Sequence, residues 1–249
     1  MSFDDHPVLI PTPEGPVGGV VTQPRGEVRA RMVLYSGYGR PARSGTNSFW
    51  TRLARSLAGL GIVVLRTDWV REGETLPVGE GEKGFLARRD LDLRLQDDHV
   101  LPWFFERAGA LPTFFAGACG GARFSIELAG RNPTRVGGVF LIAPDPRDFD
   151  AELAGEDPNP IDWLVVRRLR AILERTSAWI VQGDGDFADI SLLKTRLGPP
   201  AAERLEVELV PDVALHFLDQ PDIQEQAASR LRSRVIRALE QHRQSRSMS

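Results

Sequence analysis

Strands and helices alternate along this 249-residue sequence, which predicts an α/β fold with a mostly parallel sheet and helices on both faces. Two observations carry the expectation. Apolar runs without polar alternation, such as 31–36 (RMVLYS), 62–65 (IVVL) and 136–142 (VGGVFLI), suit strands buried on both faces. Between them stand segments with apolar residues at three- and four-residue steps, the spacing of a helix with one buried face. Parallel neighbours cannot be joined by tight hairpins, so these helices serve as the crossovers.

The elements follow in order. Pro7 to Pro11 and Val17 to Thr22 read as short strands joined by Pro/Gly turns, and 31–36 as a buried strand ending at Gly37. Phe49, Trp50, Leu53, Leu57 and Leu60 mark a helix from Asn47 stopped by Gly59 and Gly61, with a strand at 62–65 after it. A Gly- and Glu-rich loop occupies 71–84, and a long helix from Leu91 to Arg107 carries Pro102, which implies a kink or break near its end. Strands at 111–116, 136–142, 178–182 and 205–210 alternate with helices at 122–129, 161–173 and 223–239. The polar tail from Gln241 reads as disordered. One domain over 1–249 is expected, with residues 145–176 as a small helical cap over one end of the sheet.

Composition excludes several classes. Lys plus Arg number 31 against 34 Asp plus Glu, a net charge of −3 without the concentrated positive charge of a nucleic-acid binder. No run of about 18 apolar residues exists, so no membrane span is expected. Met1 to Pro7 lacks a secretory pattern and the single cysteine forbids an intrachain disulfide, which together read as cytoplasmic.

That cysteine stands in Gly117-Ala118-Cys119-Gly120-Gly121, between a strand and a helix. The pattern is G-x-nucleophile-x-G, in which small flanking residues let a sharp turn expose the central side chain. The helix N-terminus behind it favours a thiolate. A buried structural cysteine in a Gly-rich turn is the alternative. Downstream, Gly183-Asp184-Gly185-Asp186 ends one strand and His216 follows another, both at the carboxyl edge where such sheets place their sites. Among the four histidines only His216 stands on a post-strand loop, although it could simply cap the next helix. The order nucleophile, acid, histidine suits nucleophilic catalysis on such a sheet.

From Arg31 to Leu239 the sequence resembles the α/β-hydrolase superfamily, with signs in the family's order. Ser36-Gly37-Tyr38-Gly39 resembles an HGxG-type oxyanion loop, with Ser36 where histidine is usual. Arg66-Thr67-Asp68 resembles the R-x-D turn, GACGG the nucleophile elbow, Gly183 to Asp186 the G-x-x-D acid turn and His216-Phe217 the terminal histidine. Cysteine for serine is similar to the dienelactone-hydrolase-like members. The resemblance implies an esterase- or thioesterase-like enzyme in which Cys119 attacks an acyl carbonyl, His216 takes its proton and Asp186 orients the imidazole.

Asp184 is the second choice for the acid; Gly185 is expected to take backbone angles closed to other residues and turn Asp186 toward His216. The oxyanion would sit on the N–H groups of Tyr38 and Gly120, with Trp69 and Trp163 bordering the pocket. This chemistry calls for no cofactor and no metal. The expected partner is a small acyl substrate (ester, lactone or thioester), free or on a carrier protein. Acyl transfer and acyloxy elimination would use the same groups, and a non-catalytic binding protein on the same fold is the rival of different class. Arg167, Arg168 and Arg170 form a basic face that suits an anionic arm or a carrier protein, or is a plain solvated surface.

Overall fold

A computed structural model describes residues 3–36, 43–68, 85–144, 162–186, 189–212 and 220–247. Tyr38, Trp69 and His216, and residues 145–161 of the expected cap, lie outside the described residues. Eight strands form a mostly parallel sheet in the order β1-β2-β4-β3-β5-β6-β7-β8. Contacts cluster the chain into two compact units, Met1–Thr113 and Phe114–Ser249.

In the first unit, β1 (Phe3–Ile10) and β2 (Val17–Pro24) form an antiparallel hairpin, and β2 pairs antiparallel with β4 (Ile62–Thr67). Strand β3 (Ala30–Tyr35) runs parallel to β4, and every residue of both is buried, Arg31 and Arg66 among them, as largely apolar strands covered on both faces are. Their crossover includes α1 (Phe49–Ala58), whose buried stripe is Phe49, Trp50, Leu53, Ala54, Leu57 and Ala58. Of the two glycines expected to stop it, Gly61 takes the left-handed conformation, φ 83°, with Glu27 O only 2.8 Å from where a Cβ would stand.

The helix expected over 91–107 begins earlier, as α2 (Phe85–Leu95), and passes through a π-helical turn (Gln96–Val100) into α3 (Leu101–Ala108). Pro102 has no N–H to return to the carbonyl of Asp98. The ladder widens just ahead of it, the Leu101 N–H reaching back to Gln96 O. The proline is thus absorbed by a wide turn at the start of α3 rather than breaking the helix near its end.

In the second unit, β5 (Thr113–Ala118) enters from Thr113, and α4 (Gly120–Arg131) leads to β6 (Val136–Ile142). The α5 helix (Trp163–Leu173) then crosses to β7 (Ala178–Gly183), parallel to β6, and packs its buried Val165, Val166, Leu169, Ile172 and Leu173 on α4 and the sheet. The described part of the expected cap is therefore a crossover helix. Helices α6 (Ile190–Leu197) and α7 (Ala201–Arg204) precede β8 (Leu205–Val210), parallel to β7. The last helix, α8 (Pro221–Ser247), runs past the expected end at 239 into the tail read as disordered. No Gly or Pro follows Pro221, and Arg and Gln are good helix formers, so nothing local stops it.

Candidate active site

The strand-to-helix turn at Gly117-Ala118-Cys119-Gly120-Gly121 is as tight as its glycines suggest. A Cβ on Gly117 would stand 2.3 Å from Gly121 O and 2.7 Å from Ala122 N, so only glycine fits. Cys119 itself has φ 51° and ψ −125°, a region nearly closed to residues with a Cβ and costing about 1–3 kcal/mol. The turn is held by Cys119 N donating to Ile142 O at the end of β6, 3.0 Å, and by Ala122 N and Arg123 N donating to Cys119 O, 3.0 and 3.3 Å. The thiol is in no disulfide and is only partly buried, and α4 starts at the next residue, its positive dipole end behind the sulfur.

The ends of β6, β7 and β8 line the same edge. Ala143 N donates to Val181 O, 2.9 Å, and Asp184 N to Val210 O, 3.1 Å. Asp186 folds back on its own turn: Oδ2 accepts from Gly183 N, 2.7 Å, while its N–H donates to Gly183 O, 3.1 Å. Asp186, not Asp184, thus closes the turn, and the exposed Asp184 side chain makes no hydrogen bond or ion pair among the described residues. Gly185 is not among the described glycines with positive φ, which are Gly15, Gly45, Gly61, Gly109 and Gly198. The reversal needs no forbidden angle there, because the Asp186 carboxylate closes the turn.

Gly120 is the first residue of α4, so its N–H belongs to the open end of that helix. Trp163 opens α5, 61% exposed, with the Arg196 guanidinium 5.1 Å from its ring centre. Sequence reasoning missed the buried charges beneath the turn. Arg123, on the first turn of α4, bonds Glu127 at 3.3 Å and also Asp162, which caps α5 through Leu164 N. Arg123 and Glu127 are each 1% exposed. Their i, i+4 spacing on the helix after the elbow was the available signal.

In the first unit, Asp68 of the R-T-D turn is buried and receives both the backbone N–H of Arg43, 2.9 Å, and its guanidinium. Nearby, Tyr35 OH donates to Gln96 Oε1, 3.2 Å, and Gln96 Nε2 to Thr67 Oγ1, 3.3 Å, a buried relay on the π turn. Burial, with the Asp97 charge, pushes the Tyr35 phenol well above its ordinary range, so it stays protonated. Among the described residues no group of three His, Cys, Asp or Glu side chains gathers as a metal would need. No helix there is long and apolar enough to cross a membrane.

Solved structures share this architecture along nearly the whole chain. A putative dienelactone hydrolase from Klebsiella pneumoniae matches with TM-score 0.70 at 15% identity, covering 97% of this chain and all (100%) of its own. A thermostable carboxyl esterase from Bacillus coagulans gives 0.69 at 14% identity, covering 96% and 99%. This chain has the α/β-hydrolase fold. An α/β serine hydrolase homologue from Coxiella burnetii shares the fold at TM-score 0.61 and 18% identity, covering 93% and 98%. No family model matches the sequence, and no curated protein matches it. On the α/β-hydrolase fold, the Cys119 turn occupies the junction between β5 and α4.

Proposed function

We propose that this protein is a hydrolase of small acyl substrates (esters, lactones or thioesters) with Cys119 as nucleophile. The observation that carries the reading is the backbone of Cys119. A non-glycine residue held at φ 51° and ψ −125°, with Gly117 two residues before it, Gly120 and Gly121 after it, and on the N-terminus of α4, is strain with an evident use. It lifts the sulfur to the tip of the turn and aims the helix N-terminus at a thiolate. An inert structural cysteine would not need that conformation.

In this reading the thiolate adds to the acyl carbonyl, the alcohol or thiol leaves with a proton from His216, and water activated by the same imidazole releases the acid. Asp186 orients the imidazole through the carboxylate oxygen not used by Gly183, and the Gly120 and Tyr38 N–H groups receive the oxyanion. A thiolate leaves more readily than an alkoxide, which favours activated acyl groups over amides. The hydrolase names of the solved relatives agree with this class of chemistry. The protein is proposed to act in the cytoplasm as a single catalytic domain.

The reading is tested by the rate of alkylation with iodoacetamide in wild type and in His216→Ala. Fast alkylation of Cys119 that slows in the variant is expected. A slow reaction, equal in both, would remove the activated thiol.

A further inference from the structure

Trp163, Arg167 and Arg170 recur at four- and three-residue steps and share one exposed face of α5, beside its packed face. With Leu164 and Val166 they line a groove of about 430 Å³, and no carboxylate is among these lining residues. Arg196 of α6 adds a third guanidinium over the Trp163 ring. Arg170 is fixed by donating to the carbonyls of Arg196 and Leu197 at the end of α6, 3.0 Å each. Arg167 is exposed and makes no ion pair among the described residues.

Some arginines elsewhere do find acids: exposed Arg25 pairs with Asp4 and Arg55 with Asp5, and half-buried Arg230 with Glu208 and Arg234 with Glu206. The α5 face combines a one-sign charge cluster with a tryptophan left 61% exposed. Both are features of a surface that gains from being covered. From Trp163 to Arg170 the face extends about 10 Å along the helix. That suits an elongated occupant better than a compact one. Trp and Arg are also the residue types that most often carry the energy of protein interfaces.

We propose that this groove docks an acidic polypeptide segment of a partner protein, its carboxylates on Arg167 and Arg196 and one apolar side chain against Trp163. Docking is read without turnover, so it stands or falls apart from the chemistry at Cys119.

The test is fluorescence anisotropy of the full-length protein with a short fluorescein-labelled peptide of glutamates around a central leucine, and with the same peptide carrying glutamines. Trp163→Ala and Arg167→Glu alter exposed side chains and leave the fold intact, which circular dichroism checks. Wild type is expected to bind the acidic peptide, less tightly as salt rises, and each variant to bind about tenfold more weakly. Arg237→Glu, on α8, is expected to bind like wild type. No binding by wild type, equal binding of the glutamine peptide, undiminished binding by both variants, or inorganic phosphate alone binding as tightly as the peptide would each overturn the proposal.

Discussion

Cys119 holds its strained angles because Gly117 lies against Gly121 and β6 accepts its N–H. The strain separates stability from activity in a measurable way. Cys119→Gly relaxes the backbone where Cys119→Ala does not, so melting curves should place the glycine variant above the alanine variant by about 1 kcal/mol, with both inactive. Gly117→Ala drives a methyl into backbone atoms and should cost about 1–3 kcal/mol in chemical denaturation, together with the activity. Asp186 and Asp184 are told apart the same way. Asparagine at 186 can still accept from Gly183 N, so the melting temperature should hold while kcat falls by orders of magnitude. Asp184→Asn, exposed and unbonded, should stay within about 0.5 kcal/mol of wild type and keep its rate; a reversed pattern would move the acid role to Asp184. The pentapeptide made the sharp turn legible in the sequence. Which aspartate closes the next turn was not, because both positions accept the same residue type and only the fold-back decides.

Among the elements, α4 and α5 are joined by charge as well as by apolar contact. Arg123 stands between Glu127 and Asp162, so removing it strands two carboxylates in a site with little water. Arg123→Ala should cost about 3–5 kcal/mol by denaturant titration, far more than an exposed arginine such as Arg167. A loss under about 1 kcal/mol would mean that the pair is solvated. Element positions were largely readable from periodicity, and strands 136–142 and 205–210 form over the same residues as expected. Periodicity failed where one residue changes the ladder, as Pro102 does by widening the turn before it. It failed again where polarity was taken for disorder, as beyond Gln241.

For the molecule as a whole, the run of buried apolar strands separated by helical stripes defines the α/β-hydrolase fold, whereas the charges that hold its parts came only with the structure. The N-terminal hairpin shows what this means for acid stability. Burial raises the Asp5 carboxyl, but hydrogen bonds from Thr22 and Arg55 and the charges of Arg55 and Arg66 outweigh it and leave the pKa below the ordinary range. Its folded pKa being depressed, Asp5 contributes stability that is present above the unfolded value of about 3.9 and is lost as pH falls through the lower folded value. Asp5→Asn should therefore be less stable than wild type at neutral pH, on the order of 1 kcal/mol, with the gap closing in acid. A gap that widens on acidification would contradict the sign.

The central claim, a covalent acyl-enzyme on Cys119, is tested most directly by intact-protein mass spectrometry after brief mixing with p-nitrophenyl acetate. Wild type should gain the mass of one acetyl group, His216→Ala should gain it slowly, and Cys119→Ala should gain none. An adduct that persists in Cys119→Ala, or a wild type that never acquires one while turning the ester over, would contradict the account.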